Sequence, residues 1–180
     1  MESLRGQARS HVLRAFAWNG GHADFTGVFH DPAALSSLGP GLTEPFREEG
    51  ITAVVGAEAR AFILGSVCAV ALGTGFVPAR KLGSVHPGEK VVVTSEPDWR
   101  GRRSTFRLAK VLGKSDRVLI VDDWIETGSQ ASAIAGAVAQ MGAEVIGVSV
   151  LVNQAPAATR SRLNVIGLVD YDELPDDTQH

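Results

Sequence analysis

The sequence predicts an α/β protein built on an open parallel sheet of about five strands with helices on both faces. Three observations predict it. Apolar runs at Ile51–Gly56, Val118–Val121 and Ala143–Val152 read as strands covered on both faces, because half-exposed strands alternate with polar residues. Helical periodicity fills the intervals, as where Ile134, Val138 and Met141 share a face after Gln130. At 180 residues the chain fits one domain, and such a domain buries roughly 70% of its unfolded surface.

Composition narrows the function classes. A net charge of −3 leaves no basic excess, so a nucleic-acid surface is not favoured. The one cysteine, Cys68, lies in an apolar run, which excludes disulfides and a cysteine-based metal site. The N-terminus lacks the apolar core of a signal peptide, and no stretch is long enough to span a membrane. These features point to a cytoplasmic protein.

Taken in order, residues 7–18 read as a helix with Val12, Leu13 and Phe16 on one side, ended by Gly20-Gly21. Residues 24–29 read as a short edge strand or loop. Asp31-Pro32 opens a helix with Asp as N-cap and Pro at its first position. Gly39-Pro40-Gly41 is expected to interrupt it, with a second piece running to about Glu49. After the strand at 51–56, a helix runs from Glu58–Phe62 to Leu72, and Gly73–Gly75 turns into a short strand, Phe76–Ala79. Residues of about 83–108 read as a long, mobile hairpin in which 90–94 pairs with 104–108. The strand at 118–121 leads through a polar turn into a helix over 130–141, and Gly142 precedes the strand at 143–152. A helical turn at 157–162, a last strand at 164–169 and a fraying acidic tail complete the chain.

The chemistry concentrates in V-L-I-V-D-D-W-I-E-T-G-S-Q, residues 118–130. A strand, a short polar loop and a helix start make an anion site, because the first helical N–H groups lack internal partners. Gly128 permits close backbone approach, while Thr127 and Ser129 add hydroxyl donors. Asp122 and Asp123, just before this cradle, suit a sugar diol beside a phosphate. Elsewhere Arg60 opens a helix, which is unfavourable for the helix dipole unless an anion sits there. Arg80 and Lys81 end a strand on the side where open α/β sheets bind ligands.

These segments resemble type I phosphoribosyltransferases, closest to the adenine phosphoribosyltransferase-like family. The acidic pair and Thr127-Gly128-Ser129 match that family's phosphoribosyl pyrophosphate (PRPP) motif. Glu58-Ala59-Arg60-Ala61-Phe62 and G-F-V-P-A-R-K, residues 75–81, match its adenine-type signatures. Glu126 stands where the motif has a small residue, Gln130 where it often has Thr, and Ala61 where it has Gly. The resemblance covers residues 51–82 and 114–152 well and the remainder by position.

It implies transfer of 5-phosphoribosyl from PRPP to a nitrogenous base, a purine such as adenine, with release of pyrophosphate. Asp122 and Asp123 would hold the ribose and a magnesium ion, directly or through water. Glu126, Thr127, Gly128, Ser129 and Gln130 would surround the 5-phosphate. Glu58, Ala59, Arg60, Arg80, Lys81 and Arg102 would face the pyrophosphate. Phe25 and Asn153 are the base-side residues, with Gln154 beside them, and Asp98 is the acid/base candidate on the hairpin. Residues 1–50 would form a small hood, and the hairpin would close over PRPP. The family implies a homodimer. Alternatives are a non-catalytic PRPP-binding regulator, an RNA-binding regulator using Arg100, Arg102, Arg103 and Arg107, and a hydrolase.

Overall fold

The computed structural model describes residues 3–83 and 87–176. His86, a hairpin residue without an assigned role, lies outside them, as do the last four residues of the tail. The expected parallel sheet is present, and it is wider than five strands. In chain order the strands are β1 (Ala17–Asn19), β2 (His22–Asp24), β3 (Ala53–Ala57), β4 (Gly75–Lys81), β5 (Lys90–Thr94), β6 (Thr105–Ala109), β7 (Arg117–Ile125), β8 (Glu144–Asn153) and β9 (Val165–Asp170). The main sheet has seven, ordered β5-β6-β4-β3-β7-β8-β9, while β1 and β2 form a separate hairpin.

Five of the seven, β4, β3, β7, β8 and β9, run parallel. The extra two are the hairpin, which joins the sheet antiparallel where Arg80 and Lys81 of β4 face Arg107 and Phe106 of β6. Pro78 sits comfortably earlier in β4, because that stretch pairs only with β3 and its other edge needs no N–H. The hairpin strands are therefore part of the sheet, with Val91 and Val93 packed on the core and only their connection free to reach elsewhere.

Helices α1 (Leu4–Ala15), α2 (Thr26–His30), α3 (Pro32–Thr43) and α4 (Arg60–Leu72) cover one face, with Val12, Leu38, Leu42 and Leu64 against Leu119 and Leu151. Helices α5 (Ser129–Gln140) and α6 (Ala157–Leu163) cover the other, with Ile134, Val138 and Leu163 against Ile120 and Val150. Leu119 and Ile120 are adjacent in β7 and face opposite layers, as a period of two requires. Each such fully buried side chain contributes about 1.5–3 kcal/mol.

Several boundaries differ from expectation for local reasons. The first helix starts earlier, at Leu4, because Ser3 caps it by accepting a 3.0 Å hydrogen bond from Gly6 N–H. Gly20 and Gly21, at φ +58° and +74°, are the turn between β1 and β2, which is a hairpin and not a helix end. Asp31 caps α3 as expected, accepting from Ala33 N–H at 2.8 Å.

Helix α3 then runs straight through Gly39-Pro40-Gly41. The glycines are there for contact: a Cβ on Gly39 would meet the Val67 carbonyl oxygen at 2.4 Å, and one on Gly41 the Ala8 Cβ at 2.4 Å. Close approach of three helices outweighs local propensity. Helices α1, α2 and α3 thus join α4 in one helical layer, and the β1–β2 hairpin forms a separate two-stranded sheet.

Gly39→Ala tests this packing. The substitution gains up to about 1 kcal/mol of helix propensity and forces a backbone clash costing about 1–3 kcal/mol. A lower denaturant midpoint with unchanged m-value is expected, and a raised midpoint would show that α3 and α4 are not in close contact.

Candidate active site

From β3 the chain crosses through α4 to β4 on one side, while β7 lies on the other side of β3. The strand order reverses between β3 and β7, so their carboxyl ends open a crevice at the switch point. A cleft of about 820 Å³ occupies it. Two helices begin on its rim, α4 just after β3 and α5 just after β7, and neither has a side-chain N-cap. Apart from the Ser129 N–H, which donates to Thr127 Oγ1 at 3.3 Å, their opening N–H groups have no side-chain cap, which makes two candidate anion-binding positions on one cleft.

Strand β7 continues through Ile125, so Asp122 and Asp123 are strand residues, not loop residues as expected. Their position is correspondingly rigid. The Asp123 N–H donates to Asp122 Oδ1 at 2.9 Å. Burial, and then the Asp123 charge beside it, push the Asp122 carboxyl well above the ordinary carboxylate range. Asp123 is buried, and its Oδ2 lies 2.8 Å from Arg60 Nε in an ion pair. The N–H is not aimed along that line, so Oδ2 accepts no hydrogen bond. Two crowded acids with an unsatisfied oxygen are arranged to receive a cation or hydroxyl donors. Among the described residues no cluster of three or more acidic, His or Cys ligands exists. A magnesium ion fits such a pair, since it binds through one or two carboxylates plus substrate phosphates and water.

The loop after β7 carries Glu126, Thr127 and Gly128 along the cleft, followed by Ser129 and Gln130 of α5. Thr127 Oγ1 donates to Ser129 Oγ at 3.2 Å and accepts from Ser129 N–H at 3.3 Å. Gly128 is required for reasons beyond ligand approach: its φ is +77°, and a Cβ would meet Thr159 Cγ2 of α6 at 2.5 Å. Glu126 is half-buried; burial raises its pKa, Arg100 opposes that, and Asp98 adds to it.

On the β3 side, Glu58, Ala59, Arg60 and Lys81 line the cleft. Glu58 Oε2 accepts the Lys81 N–H at 2.8 Å, fixing the end of β4 against the loop after β3. Arg80 does not line it. Consecutive strand residues face opposite ways, so Lys81 turns to the cleft and Arg80 away, with its Nε buried and lacking a hydrogen-bond partner. Arg60 is partly engaged, stacked 5.4 Å over the Phe25 ring and donating to the Ala23 carbonyl at 3.4 Å besides its ion pair.

Phe25, the expected base-side aromatic, is buried among Phe16, Phe29 and Trp124 and does not line the cleft. Asn153 is buried too, donating to Asp170 Oδ1 at 2.9 Å and accepting from Ala155 N–H at 3.1 Å. Their neighbours take the exposed positions. Trp124 sits edge-on to Trp18 and Tyr171, with centroids 6.1 and 5.7 Å away. Its indole N–H donates to Gln154 Oε1 at 3.0 Å. Since indole nitrogen can only donate, the Gln154 amide oxygen must face it, which turns the NH₂ group outward.

Tyr171 escaped sequence reasoning, whereas Gln154 was legible beside Asn153. Tyr171 belongs to the tail expected to fray, but Asp170 and Glu173 cap the turn at 171–173 reciprocally, and the Trp18 indole N–H donates to the Pro175 carbonyl at 2.8 Å. That capping pair, Asp170 and Glu173 three residues on, was the available signal.

The hairpin tip reaches the same cleft with Asp98, Trp99, Arg100 and Arg102. Asp98 Oδ1 accepts from Arg102 N–H at 2.8 Å and Arg100 N–H at 2.9 Å, so the carboxylate folds the tip.

With this geometry in view, the chain's relatives are informative. Adenine phosphoribosyltransferase of Streptomyces avermitilis is 40% identical over 78% of this chain and 76% of its own length. The chain belongs to the adenine phosphoribosyltransferase family. It is therefore an enzyme of the phosphoribosyltransferase type. The crystal structure of the family member from Rhodothermus marinus superimposes with a TM-score of 0.77 at 32% identity, covering 91% of this chain and 98% of that one. The Saccharomyces cerevisiae member, solved with an imino-altritol bisphosphate and adenine, gives 0.76 at 31% identity over 89% and 98%. No protein-family model matches the chain.

The tip contact has a pH signature. Hydrogen bonds from Arg102 and then Arg100 hold the Asp98 carboxyl below its usual range. A depressed carboxylate stabilises the fold above its unfolded pKa and loses that effect as pH falls through the native one. Amide exchange at Arg100 and Arg102 should stay slow at about pH 5 and quicken progressively below about pH 4. Unchanged protection at about pH 2 would remove Asp98 from this role.

Proposed function

We propose that the protein transfers the 5-phosphoribosyl group of magnesium-bound PRPP to a purine base, adenine as in its named relatives, and releases pyrophosphate. The observation that carries this reading is the pair of uncapped helix starts flanking a crowded acid pair at one switch point. One anion position, at the start of α5 with Thr127, Ser129 and Gln130, suits the 5-phosphate. The other, at the start of α4 with Lys81 nearby, suits the pyrophosphate. The acids between them suit the ribose diol.

The chain's own groups account for the steps. The aromatic wall of Trp18, Trp124 and Tyr171 gives a planar base a surface to lie on, and the outward NH₂ of Gln154 donates to a ring nitrogen or carbonyl. Cleavage of the bond between the sugar C1 and pyrophosphate oxygen leaves positive charge on the sugar, which nearby carboxylates stabilise. Lys81 meets the charge growing on the leaving group with a compact ammonium. Magnesium, held by Asp122 and Asp123 directly or through water, would neutralise phosphate charge when bound. The hairpin tip limits access of water to the reacting carbon.

Phe25 and Asn153 act in this reading through their neighbours, Phe25 by supporting Trp124 and Arg60, Asn153 by holding Asp170 and the C-terminal turn. Arg60 exchanges its ion pair with Asp123 for pyrophosphate when substrate arrives. Assembly is proposed as a homodimer, through the exposed apolar side of α4 at Ile63 and Val70, in the cytoplasm.

Pyrophosphate release from magnesium-PRPP, measured with adenine, guanine, hypoxanthine, xanthine and orotate in turn, tests the reading. Adenine-dependent release is expected, reduced about 10²–10³-fold in kcat by Asp123→Asn. Lys81→Ala should raise KM for PRPP about tenfold or more, the worth of a charge-assisted contact. Absence of release with every base, together with no PRPP binding in a calorimeter, would refute it.

A further inference from the structure

Phosphoribosyl transfer to a ring nitrogen that carries a proton needs a group to take that proton. The acids in the cleft are mostly committed elsewhere. Asp122 and Asp123 face the sugar, and Glu58 is bonded to the Lys81 backbone. Asp98, the hairpin candidate, is spent on the N–H groups of Arg100 and Arg102 and on an ion pair with Arg102 at 3.4 Å. A carboxylate held low by three donors is a poor proton acceptor. Asp172 and Asp176 sit on the exposed C-terminal rim.

Glu126 differs from all of these. It lines the cleft half-buried and makes no hydrogen bond or ion pair among the described residues. In the chain it stands between the aromatic wall at Trp124 and the phosphate loop at Thr127. That is the junction where a base lying on the wall meets a sugar held by the loop. The charged groups facing it are Arg100 and Asp98 from the hairpin tip; α5, which follows the loop, contributes no charged residue.

We propose that Glu126 is the general base that takes the ring proton of the acceptor, an inference that rests on the transferase reading above. The acceptor nitrogen's lone pair forms the bond to C1, and the bond from C1 to the pyrophosphate oxygen breaks with its electrons leaving on pyrophosphate. The N–H proton passes to a Glu126 carboxylate oxygen and from there to water. Partial burial strengthens the carboxylate as a base, and the Arg100 charge opposes that rise and favours the ionised form. The role requires the ionised form, so the rate falls as pH drops through the Glu126 pKa.

The experiment compares wild type with Glu126→Gln, Glu126→Asp and Asp98→Asn, reading adenine-dependent pyrophosphate release from about pH 5 to 9 and calorimetric PRPP affinity without base. In Glu126→Gln, kcat should drop about 10²–10⁴-fold while PRPP affinity holds or tightens, and the acid limb of the kcat profile should vanish. Glu126→Asp should recover part of the rate with a displaced limb, and Asp98→Asn should keep the limb. A Gln variant within about threefold of wild type, under the roughly 10²-fold minimum for such catalysis, overturns the assignment, as does one that keeps the acid limb. Loss of PRPP binding together with activity also counts against it, because Glu126 would then be a binding or scaffold residue. If wild type itself releases no pyrophosphate with any base, the transferase reading fails; if wild type turns over and the Gln variant matches it, only the Glu126 assignment fails.

Discussion

The parallel pairing of β3 with β7, Ala53 opposite Val118 through Gly56 opposite Val121, sets the ends of two strands side by side. Everything at the site depends on that register. Because α4 and α5 start within a few residues of these ends, their unpaired N–H groups are delivered to a common rim. Helices on both faces lock the pairing, since a slip of one residue would exchange Leu119 and Ile120 between two different cores.

The same register explains the cost stored at the site. Continuing β7 past its apolar run places Asp122 and Asp123 in a rigid strand, where they cannot move apart, and burial raises Asp122 further. Arg60 compensates by bridging Asp123 to Ala23 of β2 and to Phe25 just after it. Such unfavourable charge is tolerated where a ligand resolves it. The acid pair is thus prepared for a cation and a diol, while the protein alone satisfies it only partly.

Three separated parts of the chain close over that rim. The β1–β2 hairpin brings Trp18, the hairpin tip brings Asp98 to Arg102, and the C-terminal turn brings Tyr171. Each is held by few hydrogen bonds: Asp98 within its own turn, Asp170 with Glu173, and the Trp18 indole with Pro175 of the C-terminal segment. The cleft floor is therefore built from sheet and helices, and its walls from segments with little core of their own. Such a division leaves the cleft floor rigid while the aromatic wall rests on small, separately adjustable contacts.

What the sequence determined by itself is what local pattern encodes. Buried strands, helix periodicity, the Asp31 cap and the order of acid pair, Thr127 and Gly128 are all short-range, because each depends on residues a few positions apart. The acid pair, the loop at 126–130, Glu58 and Lys81 were legible as cleft residues for the same reason. Tertiary structure decided the rest. Helix α3 runs through Gly39-Pro40-Gly41 only because three helices meet there, and the sheet reaches seven strands only because β6 finds the end of β4. Arg80 turned from the cleft, although Lys81 beside it did not, because strand pleating separates neighbours that sequence lists together. Phe25 and Asn153 are buried while Trp124 and Gln154 reach the cleft, because Phe25 packs on the distant Trp124 and Asn153 is held by Asp170 of the next strand, contacts that no pattern of a few positions encodes.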